Sequence, residues 1–272
     1  MTAGAIATRE GTTPDAVAGR RSVGLLPAAV TMAHRKITAA VRSGDALFAL
    51  FSPMVFFICF YVPLHRRFEL GGGDYAQFLT PIILLQAGIF TAIAATEAAG
   101  ADARAGTLER FMSLPIPRIT PVLGRMSWVV LRLLIALSGC LVIGYALGFR
   151  FDGSMAATAS FVGLAVVFGL ALSLLTDAVG SVASSSPAVA NFLMIPQLIL
   201  VMASTGLVPA ESFPGWIQPF VRNQPLSVFA DALRALSAGA DLDPTAVLLW
   251  AAGLLAAGAF AVAMVGRKQV GR

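Results

Sequence analysis

Runs of apolar residues, each bounded by charged or turn-forming positions, organise this chain. Six of them span roughly Ala46–Leu64, Ala76–Ala99, Met126–Leu147, Met155–Leu175, Ala188–Thr205 and Thr245–Val265. At ~1.5 Å per residue, each is long enough as a helix to cross a ~30 Å hydrocarbon layer. Lipid offers the backbone no hydrogen bonds, so a crossing segment must satisfy its own N–H and C=O groups, as a helix does. The runs mostly lack the polar stripe of period 3.6 that marks helices of a soluble bundle. The pattern predicts an all-α integral membrane protein with six transmembrane helices over residues 25–272, a single domain. Residues 1–24 are rich in Ala, Gly and Thr without an apolar core, which predicts a disordered tail rather than a signal peptide.

Three segments outside the runs have patterns of their own. In Leu25–Arg42, Leu26, Val30, Ala33, Ile37 and Val41 share one helical face, while Arg35, Lys36, Thr38 and Arg42 lie opposite. That predicts an amphipathic helix in the membrane interface, with its basic groups near lipid phosphates. In Gly100–Thr120, Leu108, Phe111, Met112 and Pro115 recur at helical spacing, and Pro115 and Pro117 end the pattern. This short amphipathic helix suits either lipid or a groove on a soluble partner. Gly206–Leu236 is too apolar for an ordinary loop and too broken by Pro209, Pro214, Pro219 and Pro225 for a span. Phe213, Trp216, Ile217, Phe220 and Val221 read as half-buried, and Val228, Ala232 and Leu236 repeat opposite Asp231 and Arg234. Two short helices partly sunk in one leaflet, with Trp216 as an interfacial anchor, fit that pattern; a purely structural cap fits it as well.

Composition sharpens the membrane reading. Only 12% of the 272 residues are charged and 57% are hydrophobic, where soluble domains carry about 25% charged residues. The net charge of +5 reflects orientation rather than a nucleic-acid partner. With the N-terminus inside, only Arg66, Arg67, Arg150, Arg222 and Arg234 fall in outer loops and Arg132 within a span; the other basic residues are inside. This is the positive-inside asymmetry, and it places both termini in the cytoplasm of a multi-pass plasma (inner) membrane protein. Arg132 is expected to snorkel or to pair with a neighbouring helix, and Asp177 to be solvated at the interface or paired. Gly144 and Gly148 have the small-xxx-small spacing that lets helices approach closely. Cys59 and Cys140 fall inside spans and read as small apolar residues, neither disulfide nor metal ligands.

The chemistry of an enzyme is missing from the sequence. There is no GxxxxGK[ST] phosphate loop and no HExxH zinc motif. The two histidines, His34 and His65, lie outside the predicted spans, so a membrane serine protease has no base there. No catalytic or metal-binding residue is assigned. Glu97 and Asp177 are single acids near predicted inner ends, not a deep carboxylate pair for proton coupling. The polar positions available to a transport pathway are Gln86, Asn191 and Gln197.

YAQFLTPIILLQ (Tyr75–Gln86), LERFMSLPIPR (Leu108–Arg118), LGFRF (Leu147–Phe151) and STGLVPAESFPGWIQPFVRNQPLSVFADALRAL (Ser204–Leu236) together resemble the ABC-2 type exporter permeases. The subgroup most similar is that of daunorubicin-resistance and mycobacterial phthiocerol-lipid exporters. The resemblance covers roughly residues 25–270. It implies six helices per permease, an interfacial connecting helix at the N-terminus, and an outer re-entrant hairpin between helices 5 and 6. It implies that two cytoplasmic ABC ATPase subunits carry ATP and Mg, with no cofactor on this chain, and that a second permease, identical or homologous, completes the complex. The coupling helix, at about residues 104–115, would use Glu97, Arg104, Gly106, Thr107, Leu108, Glu109, Arg110, Phe111 and Leu114. The outer gate would use Phe213, Pro214, Trp216 and Phe220. The implied function is ATP-driven export of a hydrophobic or amphiphilic lipid, polyketide or drug. Two rival readings are a proton-coupled multidrug or lipid transporter, whose transport would die with one intramembrane acid, and a non-transporting membrane assembly subunit.

Overall fold

The computed structural model describes residues 25–70, 73–105, 120–182, 188–207 and 210–268, and all regular structure among them is helical. The helices are α1 (Leu25–Arg42), α2 (Asp45–Leu70), α3 (Tyr75–Arg104), α4 (Thr120–Ala146), α5 (Met155–Val182), α6 (Ala188–Met202), α7 (Gln218–Asn223), α8 (Pro225–Ala238) and α9 (Thr245–Lys268). A short 3-10 turn at Ala210–Ser212 precedes α7. Among the described residues, five helices are long and apolar enough to cross a membrane: α2, α3, α4, α5 and α9.

Of the fifth expected span, the described residues give the apolar helix Ala188–Met202. The chain itself ends it. Ser204 Oγ donates back to the Val201 carbonyl (2.7 Å) and accepts from the Gly206 N–H (3.2 Å), turning the backbone off the helix axis. The segment before it, 183–187, lies outside the described residues.

The bundle is arranged around α3. Its apolar window is 83% buried, against 17% for those of α2 and α9, which makes α3 the axis and the other two the periphery. A helix that is apolar all round belongs in such a place. Asp74 caps it, accepting from the Ala76 and Gln77 N–H groups (2.9 and 3.3 Å).

Small residues bring the neighbours of α3 close. A Cβ on Gly180 of α5 would stand 2.3 Å from the Thr96 carbonyl oxygen of α3, and one on Gly169 would stand 2.8 Å from Leu133. Beside these glycines Thr176 Oγ1 donates to the Ala92 carbonyl (2.7 Å), and Thr96 Oγ1 donates to the Thr176 carbonyl (3.2 Å). Such interhelical bonds contribute about 0.6 kcal/mol each within a membrane; the close backbone packing they accompany is the larger effect. Gly144 does permit a close approach, with a Cβ there 3.1 Å from Thr80 Oγ1. Gly148 acts differently, turning the chain out of α4 at φ +116.

α1 is the expected helix. Val30 and Val41 are exposed, whereas Met32 sits over Gly124 of α4, 2.8 Å from where a Cβ would stand there. Lys36, expected on the lipid-phosphate side, turns into the protein, because a carboxylate waits there. Gly44, at φ +79, forms the elbow between α1 and α2.

Candidate functional site: charged helix ends and an opposed hairpin

Charged side chains gather where α1, the end of α3 and the starts of α2 and α4 meet the end of α5. Lys36 Nζ donates to both carboxylate oxygens of Asp102 on α3 (2.7 and 2.8 Å). Arg125 Nη1 of α4 lies 3.7 Å from the same carboxylate. Its Nε and Nη2 donate in parallel to the two oxygens of Asp177 on α5 (2.7 and 2.8 Å). This two-pronged geometry fixes orientation as well as charge. Two turns along α4, Arg132 pairs with Asp45, the first residue of α2, whose other oxygen accepts from Trp128 Nε1 (3.1 Å). Asp177 and Arg132, expected to be solvated or paired, are thus both paired and buried.

A cavity of about 20 Å³ is lined by Lys36, Arg125, Trp128 and Arg132 with alanines of α3, and the buried Arg132 Nε has no hydrogen-bond partner. That is room for about one water. Each of these three cations has a carboxylate partner on another helix, so the cluster ties α1, α2, α3, α4 and α5 together at this end.

Glu97 and Arg104 are exposed on α3 at this end. Gly106, Thr107, Leu108, Glu109, Arg110, Phe111 and Leu114 lie outside the described residues.

At the opposite end, the chain after α6 folds back over the bundle. α8 buries Leu226, Phe229, Ala230, Ala232 and Leu233 against α3, α5 and α9, with the Phe229 ring centroid 4.8 Å from that of Phe168 on α5. Pro225 starts α8, and Gly239, in the left-handed region at φ +66, ends it. Polar side chains fasten this helix to the turn after α6. Gln224 Nε2 donates to the Leu200 carbonyl (3.1 Å), Ser227 Oγ accepts from the Thr205 N–H (3.0 Å), and Thr205 Oγ1 donates to Asp231 (3.0 Å).

Arg234, which the pattern placed on a polar face with Asp231, folds inward. It donates to the carbonyls of Thr205 (3.0 Å), Gly206 (2.7 Å) and Phe78 (3.3 Å), pairs with Asp231 (2.8 Å), and lies 3.8 Å above the Phe78 ring. Burial lowers its pKa and Asp231 opposes that shift; guanidinium remains protonated in either case. Among the expected gate residues, Trp216 is 82% exposed, Pro214 and Phe220 are exposed, and Phe213 is half-buried.

The expected pathway residues Gln86 and Gln197 sit on α3 and α6, which pack together. Both are buried, and each Oε1 lacks a hydrogen-bond partner. The Asn191 side chain lies outside the described residues.

Sequence reasoning missed Asp45 and Asp102 as ion-pair acids, and Gln224 and Ser227 as fasteners of the hairpin. Acids and bases at helix ends inside an apolar chain announce that pairs exist, because an unpaired charge there is costly. Which acid meets which base depends on helix neighbours, and no local pattern encodes that.

Residues 62–265 match the family described as ABC-2 family transporter protein. The chain is 37% identical over 213 residues to the doxorubicin resistance ABC transporter permease protein DrrB of Mycobacterium tuberculosis, covering 75% of this chain and 74% of that one. It is 31% identical over 206 residues to the daunorubicin resistance ABC transporter permease protein DrrB1 of Streptomyces coeruleorubidus, covering 75% and 73%. A third relative, the probable doxorubicin resistance ABC transporter permease protein DrrC of Mycobacterium tuberculosis, is 33% identical over 151 residues, covering 55% and 54%. With the helices described above, these matches make the chain a member of the ABC-2 transporter family, a multi-pass membrane permease of an ABC exporter.

Proposed function

We propose that this permease moves a hydrophobic or amphiphilic molecule, a drug, polyketide or lipid, outward across the plasma membrane, driven by ATP hydrolysed on a partner subunit. The observation that carries the proposal is the family match over residues 62–265, joined to relatives named as drug-resistance permeases. ATP and Mg are assigned to two cytoplasmic ATPase subunits, since this sequence has no phosphate-cradling loop. A second permease, this chain again or a homologue, completes the membrane part. The likeness to both DrrB and DrrC supports a pair of related permeases.

In this reading the charged end, with both termini, faces the cytoplasm, and the hairpin faces out. Residues 104–115, of which 106–115 are outside the described residues, dock on the ATPase through Leu108, Phe111 and Leu114, with Glu97, Arg104, Gly106, Thr107, Glu109 and Arg110 around them. The hairpin shapes the exit, with Phe213, Pro214, Trp216 and Phe220 at its rim. Gln86, Asn191 and Gln197 offer the cargo hydrogen bonds in an otherwise apolar pathway, which suits an amphiphile better than a small ion. ATP drives the cycle only if it binds the two conformations with different affinity.

The test is co-expression of the chain with its cognate ATPase, with and without a second permease. The expected result is co-purification and membrane-dependent ATP hydrolysis linked to efflux. Leu108→Asp with Phe111→Asp should break that link and leave the helices folded. Unchanged export by the double variant would defeat the coupling assignment, and efflux under a proton gradient without any ATPase would defeat the proposal.

A further inference from the structure

We propose that Lys36, Asp102, Arg125 and Asp177 form an ion relay that carries a displacement of α1 and the end of α3 through α5 to the outer hairpin; the inference rests on the exporter reading above. The four side chains belong to four different helices and are linked in sequence at 2.7, 3.7 and 2.7 Å. Their side-chain exposures fall along the chain of contacts, from 27% and 20% to 9% and 2%, so the relay runs from the rim of the protein to its interior.

Its outer members sit where movement would enter. Lys36 lies on α1, which joins α2 through the Gly44 elbow at φ +79, with no atom within 4 Å of where a Cβ would stand. Asp102 lies two residues before the end of α3, at the entrance to the segment assigned to ATPase docking. The innermost member, Asp177, lies on α5, the helix whose Phe168 holds Phe229 of the hairpin.

Ion pairs suit such a relay for a physical reason. Between the buried Arg125 and Asp177, separating bonded charges costs far more than sliding apolar surfaces past each other, while the more exposed Lys36–Asp102 pair is the weaker link through which movement enters. Helices joined this way move together or exchange partners; they do not slip by fractions of an ångström. Arg125 is the branch point, bonded to Asp177 and within reach of Asp102. The apolar contacts of α1, such as Met32 over Gly124, locate the helix but give no such discrete link.

The experiment uses the assembled permease–ATPase complex in proteoliposomes, with a fluorophore on Gly215→Cys, an exposed position with nothing within 4 Å of its Cβ, in a Cys59→Ser background; Cys140 is buried and unreactive. A non-hydrolysable ATP analogue should shift the hairpin signal. Lys36→Met and Asp102→Asn should each reduce both that shift and the molecules exported per ATP by about fivefold or more, the lower range of ordinary site-to-site coupling. Lys36→Arg should retain both. The combined Lys36→Met and Asp102→Asn variant should be no worse than either single one, because both break the same link. A full hairpin response in Lys36→Met, or losses that multiply in the double variant, would overturn the relay. Should Asp102→Asn assemble poorly, Lys36→Met and Lys36→Arg at the rim decide alone. Absence of nucleotide-dependent transport by the unaltered complex would instead refute the exporter reading.

Discussion

Removing one partner of the Arg125–Asp177 pair should be far more damaging than removing both. Asp177 is 2% exposed as a side chain and Arg125 9%, and two parallel bonds of 2.7 and 2.8 Å join them. Asp177→Leu strands a buried guanidinium. Breaking a buried pair in this way costs roughly 3–5 kcal/mol. The lower end applies here, because Asp102 stands 3.7 Å from Arg125 and offers a substitute partner, although it is already engaged by Lys36. Arg125→Met with Asp177→Leu removes both charges and fills the space with apolar atoms. Pairs exchanged for apolar residues of similar volume are often neutral or more stable by about 1–4 kcal/mol. The double variant should therefore recover at least the stability that the single one loses. Unfolding of the purified permease in mixed micelles, titrated with SDS and followed by circular dichroism, would measure this. A single variant as stable as the unaltered protein, or a double variant no more stable than the single, would refute the reasoning. The double variant also separates stability from function: it should fold and still fail to transmit nucleotide binding to the hairpin.

Gly180→Ala places a carbon 2.3 Å from the Thr96 carbonyl oxygen, a backbone atom that cannot swing aside. α3 and α5 must separate, at a cost of about 1–3 kcal/mol or more for overpacking, and a lowered SDS midpoint checks it; Gly163→Ala, with nothing within 4 Å of its Cβ, is the control and should be silent. Arg234→Gln removes the charged donor shared by the Thr205, Gly206 and Phe78 carbonyls and the stacking on Phe78. Loss of charged hydrogen bonds of this kind costs about 1.5–3 kcal/mol each, so the hairpin should become cleavable by protease at concentrations that leave the native protein intact, while the helix content stays the same.

The apolar runs made the long helices legible, because lipid-spanning helices need little beyond length and apolarity. The same criterion is coarse at the end of a run: it carries Ala188–Thr205 past Met202, where the described helix stops. Hydropathy does not register that the Ser204 hydroxyl prefers the Val201 carbonyl and the Gly206 N–H, which ends the helix early. For α1 the pattern gave the helix and misplaced Lys36, because a facing carboxylate on α3, 66 residues away in sequence, outweighs the local amphipathic preference. In the hairpin, Trp216 is exposed, whereas Arg234 is turned inward by three carbonyls that no periodicity can reveal. Residues that pack by kind were readable; residues that pack by partner were not.

Both polar clusters touch α3 and α5, at opposite ends, and what lies between them determines whether they can communicate. Along that contact the helices meet through Gly88 and Gly169, then through Thr96 and Gly180, with backbone against backbone. At these crossings a displacement cannot be absorbed by a change of rotamer, and close-packed atoms transmit strain. The peripheral helices are built the other way. α2, α6 and α9 present Phe51, Val55, Phe192, Ile195, Leu249 and Phe260 outward, contacts that lipid or a second permease can make and remake with little change in energy. A stiff α3–α5 spine among softly bound outer helices is the construction expected of a permease that is pushed at one end and responds at the other. It follows that substitutions which loosen the spine without unfolding it, such as enlarging Gly88 beside Gly169, should abolish export before they abolish ATPase binding.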